Sequence, residues 1–66
     1  MRMQLVASTA IAAIGYEPST RHLRIRFVEG HSYDFCGVPL RVFKAFVDAP
    51  SKGGYYNAHI RDRYPC

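Results

Sequence analysis

Nowhere in this sequence does an apolar stretch approach the roughly 20 residues that cross a bilayer, which excludes a membrane-spanning helix. Cysteine is scarce. The two present, Cys36 and Cys66, lack the count and spacing of a secreted disulfide framework, and no Cys-x-x-Cys pair or Cys/His cluster offers a zinc site. This usage points to a reducing compartment, with Cys66 a free, exposed thiol. The five acidic residues, Glu17, Glu29, Asp34, Asp48 and Asp62, are scattered one per element, so none forms a local acid/base couple. His22, His31 and His59 fall on three different elements and read as rim imidazoles. The pattern calls for no catalysis, metal or cofactor. Arg2 and the apolar residues after it have the outline of a secretory signal, but Gln4, Ser8 and Thr9 interrupt the run. The expectation is a soluble, cytoplasmic protein.

What is present is a short, aromatic, basic chain. Its 66 residues leave room for one core, hence one domain over residues 1–66, and no repeat, linker or low-complexity segment divides it. Such small domains need dense packing, which the nine Tyr and Phe residues supply. A net charge of +4 and a pI near 9.4 favour polyanionic partners through long-range attraction.

Turn signals cut the chain into short elements. Leu5 to Tyr16 contains at least one strand, with a break or bulge near Ala12-Ala13, because Ile11 and Ile14 violate strict alternation. Leu23, Ile25 and Phe27 alternate with Arg24 and Arg26, and Tyr33 and Phe35 with Ser32 and Asp34, so both segments read as strands with one buried face. Opposed residues must share a face, which selects a three-residue loop, Val28-Glu29-Gly30, with Gly30 left-handed. That register pairs Phe27 with His31, Ile25 with Tyr33 and Leu23 with Phe35, and sets Arg24 opposite Asp34 on the wet face.

Pro39 suits the first turn of a helix running to Ala49, which Pro50 stops. Its Val42, Phe43, Phe46 and Val47 stripe faces the core, with Arg41, Lys44 and Asp48 opposite. Ser51 is a candidate cap for a second segment in which Tyr56, Ile60 and Tyr64 recur every four residues, although Gly53-Gly54 serves a tight bend as well as a helix start. The fold class is α+β: a three-stranded antiparallel meander, with one main helix and a short C-terminal helix on one face.

Basic residues interleaved with aromatics are what single-stranded RNA binding uses, since cations hold phosphates while rings stack on bases. Lys52, Tyr55, Asn57, His59, Arg61 and Arg63 supply this in one stretch, and Arg24 and Arg26 add to it from the hairpin. Ser51-Lys52-Gly53-Gly54 has either a phosphate-cradling or a purely structural role; its order is not that of a nucleotide-hydrolysing phosphate loop.

Together these landmarks resemble the KTSC domain, a module found at the C-terminus of some lysyl-tRNA synthetases and in small stand-alone bacterial and phage proteins. The resemblance rests on Val6 and Ser8, Ile14-Gly15-Tyr16, Phe27 with Gly30, Tyr33-Asp34-Phe35, Gly37-Val38-Pro39, and the tail Ser51-x-Gly53-x-x-Tyr56-Asn57-x-x-Ile60-Arg61-x-x-Tyr64. Phe35 stands where the family has a second tyrosine, and Ala7 where it commonly has a second serine. The resemblance implies an RNA-related role by attachment to a tRNA-handling enzyme. Carried over, Tyr56, Ile60 and Tyr64 pack, Gly53 bends the chain, Ser51 and Asn57 cap backbone groups, and Arg61 meets a ligand. The leading expectation is a non-enzymatic accessory module binding RNA, either tRNA or single-stranded RNA, through Lys52, Tyr55, Asn57, Arg61, Arg63, Arg24 and Arg26. The alternative is a protein-interaction module docking on a larger host enzyme.

Overall fold

A computed structural model describes all of residues 1–66. Four strands, β1 (Met3–Leu5), β2 (Ile11–Glu17), β3 (His22–Phe27) and β4 (Ser32–Phe35), precede helices α1 (Leu40–Asp48) and α2 (Lys52–Tyr55), and a π-helical turn (Tyr56–Ile60) continues α2. The sheet is an antiparallel meander in the order β1-β2-β3-β4. It is therefore α+β, with one strand more than expected. The extra strand arises because the segment before Tyr16 folds back on itself. Ser8 Oγ accepts the backbone N–H groups of Ala10 and Ile11, both at 3.2 Å, a side-chain turn hidden in an otherwise apolar run.

The β3–β4 hairpin has the register that parity demanded: Leu23 opposes Phe35, Arg24 opposes Asp34 and Ile25 opposes Tyr33. Gly30, at φ 111°, donates to the Phe27 carbonyl at 2.9 Å, and Phe27 N–H donates to the His31 carbonyl at the same distance. In β2 the register shifts between Ile11 and Ala13. Ala12 is the bulged residue, and both Ile11 and Ile14 therefore turn inward.

One face of the sheet carries the core. Ile11, Ile14, Leu23, Ile25 and Phe35 pack there with Val38, Phe46 of α1 and Ile60 of the π-helical turn. Val42, Phe43 and Val47 flank this cluster, as the helical stripe predicts, while Arg41, Lys44 and Asp48 are exposed. Pro39 stands one position earlier than expected, just before α1, where its carbonyl accepts from Val42 at 3.0 Å and Phe43 at 3.2 Å. Gly53-Gly54 lies inside α2, whose start Ser51 caps by accepting Gly54 N–H at 3.1 Å.

The cysteines correct the sequence reading. Cys66 is not a free thiol: it forms a disulfide with Cys36, with Cα atoms 4.8 Å apart. Cys36 follows the last residue of β4, and its N–H donates to the Tyr64 carbonyl at 3.0 Å. The tail thus lies beside the sheet's edge, a proximity that a separation of 30 residues conceals in sequence. Such a bond persists in oxidising surroundings, whereas a reducing compartment would leave the same two cysteines adjacent as thiols.

Candidate functional site

The seven residues singled out for RNA binding do not form one surface. Arg24 and Arg26 lie on the outer face of the sheet, away from the helices. There Arg24 is engaged by Asp34, with Nε to Oδ1 at 2.8 Å and Nη2 to Oδ2 at 3.3 Å. This two-point bond, with a smaller contribution from His22, holds the Asp34 carboxyl below its ordinary value, and the same bond raises Arg24. His22 Nε2 approaches Asp34 Oδ1 to 3.4 Å without hydrogen-bond geometry and has no other partner. Arg26, opposite Ser32, is exposed.

Three of the C-terminal residues are structural or partly so. Lys52 Nζ donates to the Ala49 carbonyl at 3.0 Å, closing the end of α1. Tyr55 packs its ring on Phe46, with centroids 5.8 Å apart, and faces His59 at 4.5 Å. Asn57 Oδ1 accepts from Arg61 Nη1 at 3.5 Å, so it braces a side chain and does not cap the backbone.

Arg61 and Arg63 remain exposed. Arg61 Nε lies 3.9 Å from an Asp62 carboxylate that is itself open to solvent, an approach that leaves the guanidinium available. Its surroundings come from two separate elements. The π-helical turn closes with Arg61 N–H donating to the Tyr56 carbonyl at 2.8 Å, which sets Arg61 beside the half-buried Tyr56. Burial raises the Tyr56 phenol above its ordinary value; Arg61 counters this, while Asp62 and Tyr33 add to it. Phe27 bridges two tyrosines edge to face, Tyr33 at 5.5 Å and Tyr56 at 5.2 Å between centroids.

Alternation assigns Tyr33 to the core, yet it is 49% exposed. β4 is an edge strand, and the Tyr33 ring packs edge to face on Phe27 while about half of it stays open to solvent. Tyr33, Tyr56, Asn57 and Arg61 thus form an aromatic and basic edge. Of these, Tyr33 and Tyr56 are the members that sequence reasoning left out of the contact set, because both read as packing residues and neither alternation nor spacing shows how much of a ring stays open. No group of three metal-ligating side chains converges anywhere, and no helix is long and apolar enough to cross a membrane.

Residues 7–64 match the KTSC domain. The chain belongs to that family. As a KTSC domain it is 38% identical to a KTSC domain protein from Yersinia pestis whose crystal structure superposes with a TM-score of 0.93, covering 96% of this chain and 89% of that one. A protein of Tsukamurella paurometabola is 39% identical over 62 residues, 94% of this chain and 92% of its own length. A lysine–tRNA ligase of Nostoc sp. is 39% identical over 54 residues, which are 82% of this chain and 10% of the ligase. The chain thus spans about a tenth of the ligases it matches, and no catalytic family is indicated for it.

Proposed function

We propose that this KTSC domain is a non-enzymatic accessory module that binds RNA along the edge formed by Tyr33, Tyr56, Asn57 and Arg61. The observation carrying this reading is the exposed Arg61 guanidinium beside Tyr56, whose ring shares Phe27 with the half-open ring of Tyr33. A cation that meets a phosphate next to a ring that stacks on a base is the minimal unit of single-strand recognition. Arg63, two residues on, extends the positive charge, and Arg26 adds to the general field from the outer face. Arg24 leaves the expected contact set because Asp34 occupies it, and Lys52 because its ammonium is drawn to the Ala49 carbonyl at the end of α1, away from this edge. Tyr55 leaves it because its ring is stacked internally. Relatives that are lysine–tRNA ligases carry the same module beside a tRNA-handling enzyme, which favours tRNA as the first RNA to test. This reading places the domain in the cytoplasm, where the adjacent Cys36 and Cys66 would stand as thiols.

The test is fluorescence anisotropy against labelled tRNA, single-stranded RNA and duplex DNA at low and near-physiological salt. Binding to RNA that persists at the higher salt and is lost in the Arg61→Ala, Arg63→Ala double variant supports the proposal. Binding that disappears with modest salt and ignores those substitutions rejects it.

One feature favours a second reading, docking on a larger protein. Leu5 is 84% and Met1 49% exposed, and the β1–β2 register places Met3 and Leu5 opposite Gly15 and Ala13 on the outer face. Contact through this apolar strip would be insensitive to salt and to Arg61.

A further inference from the structure

A cleft of about 270 Å³ opens between the β1–β2 connection and the junction of α1 with α2, walled by residues 7–10 on one side and 50–53 on the other. It joins two segments far apart in sequence, and Gly53 makes the join close: a Cβ there would lie 3.4 Å from the Ala10 methyl. The chemistry of the walls is one-sided. No acidic residue lines the cleft, and Lys52 is the one ionised group in it. Ser8 Oγ already accepts two backbone N–H groups, and Ser51 Oγ accepts Gly54 N–H. The acceptor side of Ser8 is thus filled and that of Ser51 half filled, and each keeps its own O–H to donate. Lys52 spends one ammonium proton on the Ala49 carbonyl, leaving two more. With the hydroxyl of the exposed Thr9, the cleft presents four side-chain donor groups around one space.

We propose that this cleft binds a phosphate group. Donors converging from two segments, with a cation among them and no carboxylate to repel an anion, match a tetrahedral oxyanion that accepts along several directions; charge-assisted bonds of this kind are the strong ones. The volume admits the group with part of its substituent. The phosphate has two possible sources, a small free phosphate or the 5′-terminal phosphate of an RNA. The inference stands apart from the edge site, because neither Tyr33 nor Arg61 contributes to the cleft.

Amide chemical shifts, followed while the whole protein is titrated with inorganic phosphate at constant ionic strength, test it. The expected result is a saturable response in the millimolar range confined to residues 8–10 and 51–54, with no saturable response to acetate. Lys52→Met should weaken it about tenfold, and Thr9→Val a few-fold, with the remaining spectrum unchanged as the check on folding. Ser8 and Ser51 are left intact because they hold the turns. Competition by a 5′-phosphorylated RNA, but not by its 5′-hydroxyl counterpart, assigns the source to an RNA end; saturation by inorganic phosphate with no such competition assigns it to a free phosphate. Absence of a saturable response, an equal response to acetate, full affinity in Lys52→Met, or shifts centred on Arg61 and Arg63 would overturn the proposal.

Discussion

Tyr16 stacks on Phe43 with ring centroids 4.5 Å apart and planes within 8°, and its hydroxyl donates to the Val38 carbonyl at 2.6 Å. One side chain thereby ties β2 to α1 and to the loop that leads into it. Tyr16→Phe keeps the stack and strands the carbonyl of fully buried Val38. The expected loss is about 1–2 kcal/mol, read as a lower urea midpoint with an unchanged slope.

Phe46 is fully buried at the centre of the helical layer, against Tyr55 and the sheet. Phe46→Ala is expected to cost about 3–5 kcal/mol, which is comparable to the whole stability of a domain this small. Circular dichroism should show it largely unfolded at room temperature.

The Arg24–Asp34 pair has a signed pH dependence. The Asp34 carboxyl is held below its ordinary value, first by the Arg24 hydrogen bond and then by His22. A depressed folded value means the stabilisation is fully present above the ordinary carboxylate range and is lost as pH falls through the folded value. Chemical denaturation across acid pH should therefore show wild-type stability falling more steeply than that of Asp34→Asn.

Reduction tests the tail clamp. A disulfide closing about 30 residues is expected to contribute about 3–4 kcal/mol, so melting under reductant, or in Cys66→Ser, should drop accordingly. The cytoplasmic placement predicts a further outcome: alkylation in fresh cytosolic extract should label both thiols. Protection of both from alkylation would argue for an oxidising compartment.

For the RNA reading, the salt slope gives a count of contacts. Each phosphate neutralised on a single strand contributes about −0.7 to the slope of log affinity against log salt. The Arg61→Ala, Arg63→Ala double variant should thus flatten the slope by about 1.4. Tyr33→Ala should weaken binding at every salt concentration and leave the slope unchanged.

Much of the fold was legible because its signals are local. Alternation at Leu23, Ile25 and Phe27 identified a strand, and parity with Tyr33 and Phe35 selected the hairpin loop and its register. The spacing of Val42, Phe43, Phe46 and Val47 identified the inner face of α1. The β1 strand was not legible, because the turn that creates it depends on one hydroxyl, Ser8, accepting two N–H groups within an apolar run.

The site divides differently. The sequence by itself determined which residue types were on hand, a basic and aromatic tail and a net positive charge, because composition and short-range periodicity survive without a fold. The tertiary structure decided which of them are free. Arg24 is spent on Asp34 and Lys52 is turned toward the end of α1, while Tyr33 is released to solvent at an edge. Ser8 and Ser51 are brought to opposite walls of one cleft, and Cys66 meets Cys36. Each of these depends on chain segments distant in sequence being packed together, and only burial of the shared core around Phe46 and Ile60 supplies that.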